Sequence, residues 1–423
     1  MRTRNVTVGL IGVGVVAVVV WAVVVALPRL TGELTDGPAA DGRLPALPAV
    51  VASNLEWESG PGTVGSWVTT EAVFGSDGFI YALSTAPGLR QIPEGAPVPH
   101  AVYRSQDGLV WSTELLAGLG EDLYARDIAQ AGSNLYLVGT APSARNPAAA
   151  AVRVGSSVDG GRSWNSLDLD LQSNVALEGV ALAGAMRVDV TASSLGMLVG
   201  ASRTTWVNNI PESDLTVFVG SGLDDLQQST LPLGEAYSLD SVEATSGNFY
   251  AVVRPNGGFE DRIPLVELWR SADGGQWEKV ENFPFMDTVS AFGEVGQHRV
   301  AVGQLEGRMV LGASMDDLTW DEVDLSDLVP PAAGGGQWIS AAGVGDAGLF
   351  LNVQSFIPLA GREGGHEVSQ LIESADLRSW SSTSTANLLQ GFVEQIVVGD
   401  DFVFVNGISG VPGARVHLIG TRG

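Results

Sequence analysis

Ser105-Gln-Asp107-Gly108-Leu-Val-Trp111 is a seven-residue cassette whose recurrence decides the fold of this 423-residue chain. It returns at the same length as Ser271-Ala-Asp273-Gly274-Gly275-Gln-Trp277, Ser314-Met-Asp316-Asp317-Leu-Thr-Trp320 and Ser374-Ala-Asp376-Leu-Arg-Ser-Trp380. A fifth copy, Ser157-Val-Asp159-Gly160-Gly161-Arg-Ser163-Trp164, is one residue longer. A sixth, Gly222-Leu-Asp224-Asp225-Leu-Gln-Gln228, keeps the acid and lacks the serine and the tryptophan. Short alternating apolar runs such as Ala101-Val-Tyr-Arg precede the copies, and another strand-like run follows each. Aspartate and serine satisfy the N–H groups of a turn, glycine takes positive φ, and tryptophan covers apolar surface.

The cassette aspartates are 52 (107 to 159), 65 (to 224), 49 (to 273), 43 (to 316) and 60 (to 376) residues apart. Such periods, with four short strands in each, point to the blades of a β-propeller. The reading is therefore all-β, a seven-bladed propeller over 54–423, with six or eight blades as the error range. Segment 392–423 supplies three strands and no cassette, whereas 54–59 reads as a fourth strand with none before it. Pairing the two completes the seventh blade and closes the ring, removing exposed sheet edges.

Upstream, residues 1–5 carry Arg2 and Arg4, and 6–27 contain Thr7 as their one polar residue. As a helix that run spans about 33 Å at ~1.5 Å per residue, enough for a bilayer core. The arginines favour a cytoplasmic amino terminus. The expectation is an uncleaved signal-anchor at the cell membrane with the propeller extracytoplasmic; cleavage and secretion is the alternative. Residues 28–53, rich in Pro, Gly and Ala, read as a flexible stalk.

A net charge of -26 argues against nucleic acid or an anionic membrane surface as a partner. Without cysteine the chain has no disulfide and no thiolate ligand. His100, His298, His366 and His417 lack metal-ligand spacing, and no zincin, phosphate-loop, nucleophile-elbow or EF-hand pattern occurs. No cofactor and no metal are expected.

The cassette resembles the Asp-box, or bacterial neuraminidase repeat, of sialidases and other propellers. The copy at 157–164 has that family's eight-residue length, and the other four are one residue shorter. The resemblance implies a turn between the third and fourth strands of a blade, with Ser105, Asp107, Trp111, Ser157, Asp159, Trp164, Asp224, Ser271, Asp273, Trp277, Ser314, Asp316, Trp320, Ser374, Asp376 and Trp380 in structural roles. Sialidases also need three arginines to clamp a carboxylate and a tyrosine nucleophile paired with glutamate. Arg262-Ile263-Pro264 resembles their Arg-Ile-Pro signature but stands in a loop before a cassette instead of on an inner strand. Arg126 and Arg187 are the inner-strand arginines, and Tyr237 beside Glu235 is the pair most like the nucleophile.

Loops between second and third strands read as long at 86–100, 141–149, 202–214, 254–264 and 355–368. They share the face opposite the cassettes, where recognition concentrates on a rigid scaffold. Arg90, Arg145, Trp206, Arg254, Arg262, Arg362 and His366 gather there, with Tyr237 and Glu235, as candidate ligand-binding residues. The expected role is a non-catalytic binding or scaffolding module of the cell envelope, contacting an envelope protein or a carbohydrate. An exo-α-sialidase-like glycoside hydrolase and an assembly or maintenance factor for a membrane complex are the alternatives.

Overall fold

The computed structural model describes residues 50–53, 55–60, 69–75, 77–85, 100–116, 118–120, 122–142, 150–169, 171, 182–207, 210–233, 237–256, 264–329, 336–358, 365–384, 392–408 and 415–422. The expected membrane helix at 6–27 and most of the expected stalk lie outside the described residues. Among the described residues no helix is long and apolar enough to cross a membrane.

The strands form seven sheets, each built on four antiparallel strands, arranged as a seven-bladed propeller. Blade one holds Thr69–Phe74, Ile80–Thr85, His100–Ser105 and Ser112–Leu115; blade two holds Tyr124–Ala131, Asn134–Pro142, Ala150–Ser157 and Asn165–Leu169. Blades three to six open on Leu182–Ser193, Tyr237–Ala244, Thr288–Val295 and Gln337–Gly345. Blade seven combines Phe392–Val398, Phe402–Ile408 and Arg415–Arg422 with Leu55–Gly60 as its outer strand. Its register runs from Leu55↔Arg422 to Gly60↔His417, so the two ends of the described chain close the ring. Each blade's inner strand touches the next, and the seventh touches the first.

Among the described residues the apolar interior is divided between the blades. Seven apolar clusters fill the seven gaps between neighbouring sheets. Between blades one and two, for example, Leu83 and Val102 meet Leu135, Leu137 and Trp164. Alternating strands present one apolar row to each neighbour, which is why both faces of every sheet are buried.

The cassettes are the turns between third and fourth strands. Ser105 Oγ lies 3.0 Å from Asp107 Oδ1, which accepts N–H bonds from Leu109 at 2.9 Å and Val110 at 2.8 Å. The same pattern holds at Ser271/Asp273, Ser314/Asp316 and Ser374/Asp376, while the longer Ser157/Asp159 turn reaches Ser163 N at 2.9 Å. Backbone donors to Asp107, Asp273 and Asp316 hold these carboxyls below their ordinary range. The fourth position takes positive φ in the five copies that keep serine and tryptophan, at Gly108, Gly160, Gly274, Asp317 and Leu377. Each tryptophan packs towards the preceding blade: Trp111 with blade seven, Trp164 with one, Trp277 with three, Trp320 with four and Trp380 with five.

Three local expectations need correction. The sixth cassette uses different atoms: Ser221 Oγ bonds Asp225 Oδ2 at 2.5 Å and Gly222 N bonds Asp225 Oδ1 at 2.9 Å, so Asp225 replaces Asp224 as the turn acid. A short 3-10 turn at Leu223–Asp225 shifts the acid by one residue. Next, 202–214 is not a long loop. Gly196–Val207 and Ile210–Gly220 pair continuously up to Val207↔Ile210, because β-branched residues extend both strands. Likewise Gly348–Pro358 pairs with Gly365–Ser374, leaving 359–364 as the interval. Trp206 and His366 are therefore strand positions.

Pairing also starts inside the segment read as stalk. Val51–Ala52 runs parallel to Ser381–Ser384 as a fifth strand of blade six. Val51 N donates to Trp380 O and Ser53 N to Ser382 O, both at 3.0 Å, and Ser53 Oγ donates to Glu373. The chain thus clips the outer edge of blade six before it closes blade seven.

Candidate functional site

Inner strands carry the features that converge on the axis. All seven contain a register shift, between Thr69/Glu71, Ala125/Asp127, Ala183/Met186, Leu239/Ser241, Val289/Ala291, Ile339/Ala341 and Val393/Gln395. A bulge re-aims the next side chain and leaves backbone groups outside the ladder. Polar side chains of the inner strands reach the inner strand of the following blade. Asp127 Oδ2 accepts from Val190 N at 2.7 Å and Asp189 Oδ2 from Val242 N at 2.8 Å. Gln395 donates its amide to Glu71 and, at 3.3 Å, to Ala72 O. Blades seven, two and three are stapled in this way to their successors.

The consequence is a group of carboxylates around the channel: Glu71, Asp127, Asp189 and Glu243. Burial first, then the charge of Asp189, raises Glu71 to about 8. Asp127 is pushed well above the ordinary carboxyl range by burial and by Asp189. Glu243 is raised by burial, then by Asp189 and Glu71. The charge of Asp189 acts on Glu71, Asp127 and Glu243, and that of Glu71 on Asp127 and Glu243. At the matching register blades four, five and six carry only Ser241, Ala291 and Ala341.

Nearer the long-loop face the charge reverses. Arg126, the bulged residue of blade two, is exposed, with Cζ 4.2 Å above the Tyr124 ring. Arg187 is exposed on blade three, and its charge opposes the rise at Glu71. Beside Tyr124 sits His100, 5% exposed, its ring nitrogens without hydrogen-bond partners. Burial and then Arg126 lower it to about 4, which keeps the imidazole neutral at pH 7.

Residues singled out from the sequence occupy other places. Tyr237 donates to Glu267 Oε1 at 3.4 Å, and Lys279 Nζ is 2.7 Å from the same atom, so the phenol points along its own sheet. Burial and the charge of Glu267 raise its pKa. Arg254 is 2.6 Å from Asp240 Oδ2 and also bonds Asp287 O, tying blade four to blade five. Trp206 pairs with Pro211 and His366 with Ile357 in their ladders. Arg90, Arg145, Glu235, Arg262 and Arg362 lie outside the described residues. A recess at the outer rim, lined by Val51, Leu55, Glu373, Trp380 and Arg422, lies under the strand that clips blade six and is remote from the axis. Among the described residues no group of three His, Cys, Asp or Glu is placed to hold a metal ion.

The axial carboxylates were missed from the sequence. Their signal is an acid at a matching register of an otherwise apolar inner strand, as in Glu71-Ala-Val, Asp127-Ile-Ala and Asp189-Val-Thr.

No family model and no curated protein matches the chain. It is similar in structure to a protein of unknown function from Dyadobacter fermentans, with 14% identity over 88% of this chain and 97% of that one, TM-score 0.41. The propeller domain of the Trilobed protease from Pyrococcus furiosus is 9% identical over 84% of this chain and 96% of that one, TM-score 0.49. Trypanosoma rangeli sialidase bound to the inhibitor DANA is 15% identical over 85% of this chain, TM-score 0.42, and the match spans 55% of the sialidase.

Proposed function

We propose that this chain is a membrane-anchored, extracytoplasmic propeller of the cell envelope that binds a partner and catalyses no reaction. The observation that carries the reading is the exposed pair Arg126 and Arg187 at the long-loop end of the channel, with Tyr124 beneath Arg126. On a chain of net charge -26 a cationic and aromatic rim is the surface suited to an acidic envelope protein or carbohydrate. The cassettes, read as Asp-boxes, supply the rigid scaffold, and 6–27 supplies the anchor. A role in the assembly or upkeep of a membrane complex would use the same rim. The sialidase-like hydrolase reading has less support, because Tyr237 engages Glu267 and Lys279 within its own blade.

Crosslinking of the full-length protein in its own membranes, followed by gentle detergent purification and mass spectrometry, tests the proposal. A stoichiometric partner linked through the Arg126/Arg187 face, and lost in the Arg126→Glu/Arg187→Glu double variant, is the expected result. Turnover of a sialoside by the purified protein would overturn it.

A further inference from the structure

The segment that clips blade six is held lightly. Val51–Ala52 pairs in parallel with Ser381 and Ser382, through Val51 N to Trp380 O, Ser53 N to Ser382 O and Ser53 Oγ to Glu373. Val50 packs against the apolar cluster between blades five and six, whereas Val51 is 63% exposed. Three hydrogen bonds at an exposed edge favour the closed clip by a factor on the order of 10–100, so a measurable fraction of molecules has that edge bare.

The edge beneath is suited to an added strand. Charged side chains guard the outer strands Ser112–Leu115, Asn165–Leu169, Glu278–Lys279, Asp321–Asp324 and Leu55–Gly60, which discourages pairing with other chains. Ser381–Ser384 has no charge, and neither has the shorter Gln227–Ser229.

Behind the edge stands a carboxylate that the clip serves poorly. Glu373, 7% exposed, accepts from the hydroxyls of Ser53 and, at 2.7 Å, of Ser381, and no cation among the described residues pairs with it. In blades one and four the residue before the cassette serine is an arginine, and each pairs with an acid, Arg104 with Asp77 and Arg270 with Glu278. Blade six holds Glu373 at that place. A buried carboxylate is stabilised most by a charged donor. Beside the clip a recess of about 370 Å³ lies open, lined among others by Val51, Leu55, Glu373, Asp376 and Arg422. Arg422, its one cation, donates to Ala347 O at 2.5 Å. Alternation along a strand sends positions 51 and 53 to the same side, so a side chain longer than serine at position 53 meets Glu373 where the recess gives it room.

We propose that the outer edge of blade six docks an extended basic segment of a partner protein, which displaces residues 50–53 and sets a lysine or arginine on Glu373. The clip is its built-in competitor. This site is independent of the partner assigned to the long-loop rim.

The test is fluorescence anisotropy of labelled peptides with the full-length protein in detergent. One peptide copies residues 49–53, Ala-Val-Val-Ala-Ser, and two others carry lysine or glutamate in the last place. The Val51→Pro/Ser53→Pro variant lacks both N–H donors of the clip. It should bind the lysine peptide about tenfold or more tightly than the unaltered protein does, because no closed clip competes. It should also prefer lysine to serine by about fivefold or more, and adding Glu373→Gln, which keeps an acceptor for Ser381, should remove that preference. Absence of lysine-peptide binding to the double variant would overturn the proposal. So would equal affinity in the unaltered protein and the double variant, equal affinity for the lysine and glutamate peptides, or a lysine preference that survives Glu373→Gln. Self-association of the double variant without peptide, read by light scattering, would make a second copy the occupant and would overturn it as well.

Discussion

Two truncations, one beginning at residue 54 and one at residue 61, separate the clip on blade six from the closure of blade seven. The shorter cut removes the pairs Val51↔Ser381 and Ala52↔Ser382 and the Ser53–Glu373 bond. At roughly 0.5–1 kcal/mol for each exposed hydrogen bond, that is about 1–3 kcal/mol. The longer cut also removes six register pairs from Leu55↔Arg422 to Gly60↔His417. About six ladder bonds at ~1 kcal/mol each make a further ~6 kcal/mol, of the same order as the whole stability of a domain. It also strips Trp57 from Gly420, where a Cβ would already sit 2.9 Å from the indole ring, and bares the edge of Arg415–Arg422. Thermal unfolding followed by circular dichroism, with light scattering after gel filtration, reads both effects. The 54–423 fragment should remain a monomer with a midpoint a few degrees lower. The 61–423 fragment should lose its cooperative transition or associate through the freed edge. A monomeric 61–423 fragment melting at the temperature of 54–423 would refute the closure argument.

Glu71 gives the pH dependence. Its folded pKa of about 8 exceeds the ordinary 4.5, so its contribution to stability is complete below pH 4.5 and is lost as pH rises towards 8. Glu71→Gln should therefore flatten the fall in melting temperature between pH 5 and 8; an unchanged slope would count against the buried ring. Gly108→Ala should destabilise by about 2–4 kcal/mol, from positive φ and overpacking together, since the new Cβ would lie 2.0 Å from Ile419 Cδ1. Gly132→Ala, with positive φ but nothing within 4 Å, should lose only about 1 kcal/mol in the same denaturant titration; equal losses would show that close packing against blade seven is unimportant. Arg254→Ala leaves half-buried Asp240 without its guanidinium partner and should cost about 1–3 kcal/mol, whereas a neutral result would mean that Asp240 is hydrated.

The seven-bladed architecture was legible because the cassette is local. Ser105, Asp107 and Gly108 settle their turn among themselves, and Asp107 needs only the N–H groups of its own loop. Strand length was less legible. Ser202 to Val207 looked like a loop because Arg203 and Trp206 interrupt the apolar alternation, yet pairing with Ile210–Gly220 carries the strand through. Sequence also misplaced the sixth turn, because Gly222-Leu-Asp224 matches the cassette register while the atoms choose Asp225. The axial ring was illegible for a different reason. Asp127 meets Val190 and Asp189 meets Val242 across 63 and 53 residues, and nothing local to either acid announces that its acceptor role lies on the next blade.

Repetition itself gives the channel its meaning. Turns and tryptophans recur because every blade must satisfy the same ladder ends and cover the same kind of face, so their recurrence needs no function. The inner strands repeat their bulge seven times, and that too follows from closing a ring of twisted sheets. Acids at this register are confined to blades one to three, with Glu243 two residues further along on blade four, while Ala291 and Ala341 hold the equivalent places on five and six. A purely structural staple would serve every interface alike, and alanine at blades five and six shows that the interface closes without it. Burial raises the carboxyls of Glu71, Asp127 and Glu243, which lowers stability as pH rises, so the asymmetry works against folding instead of following from it.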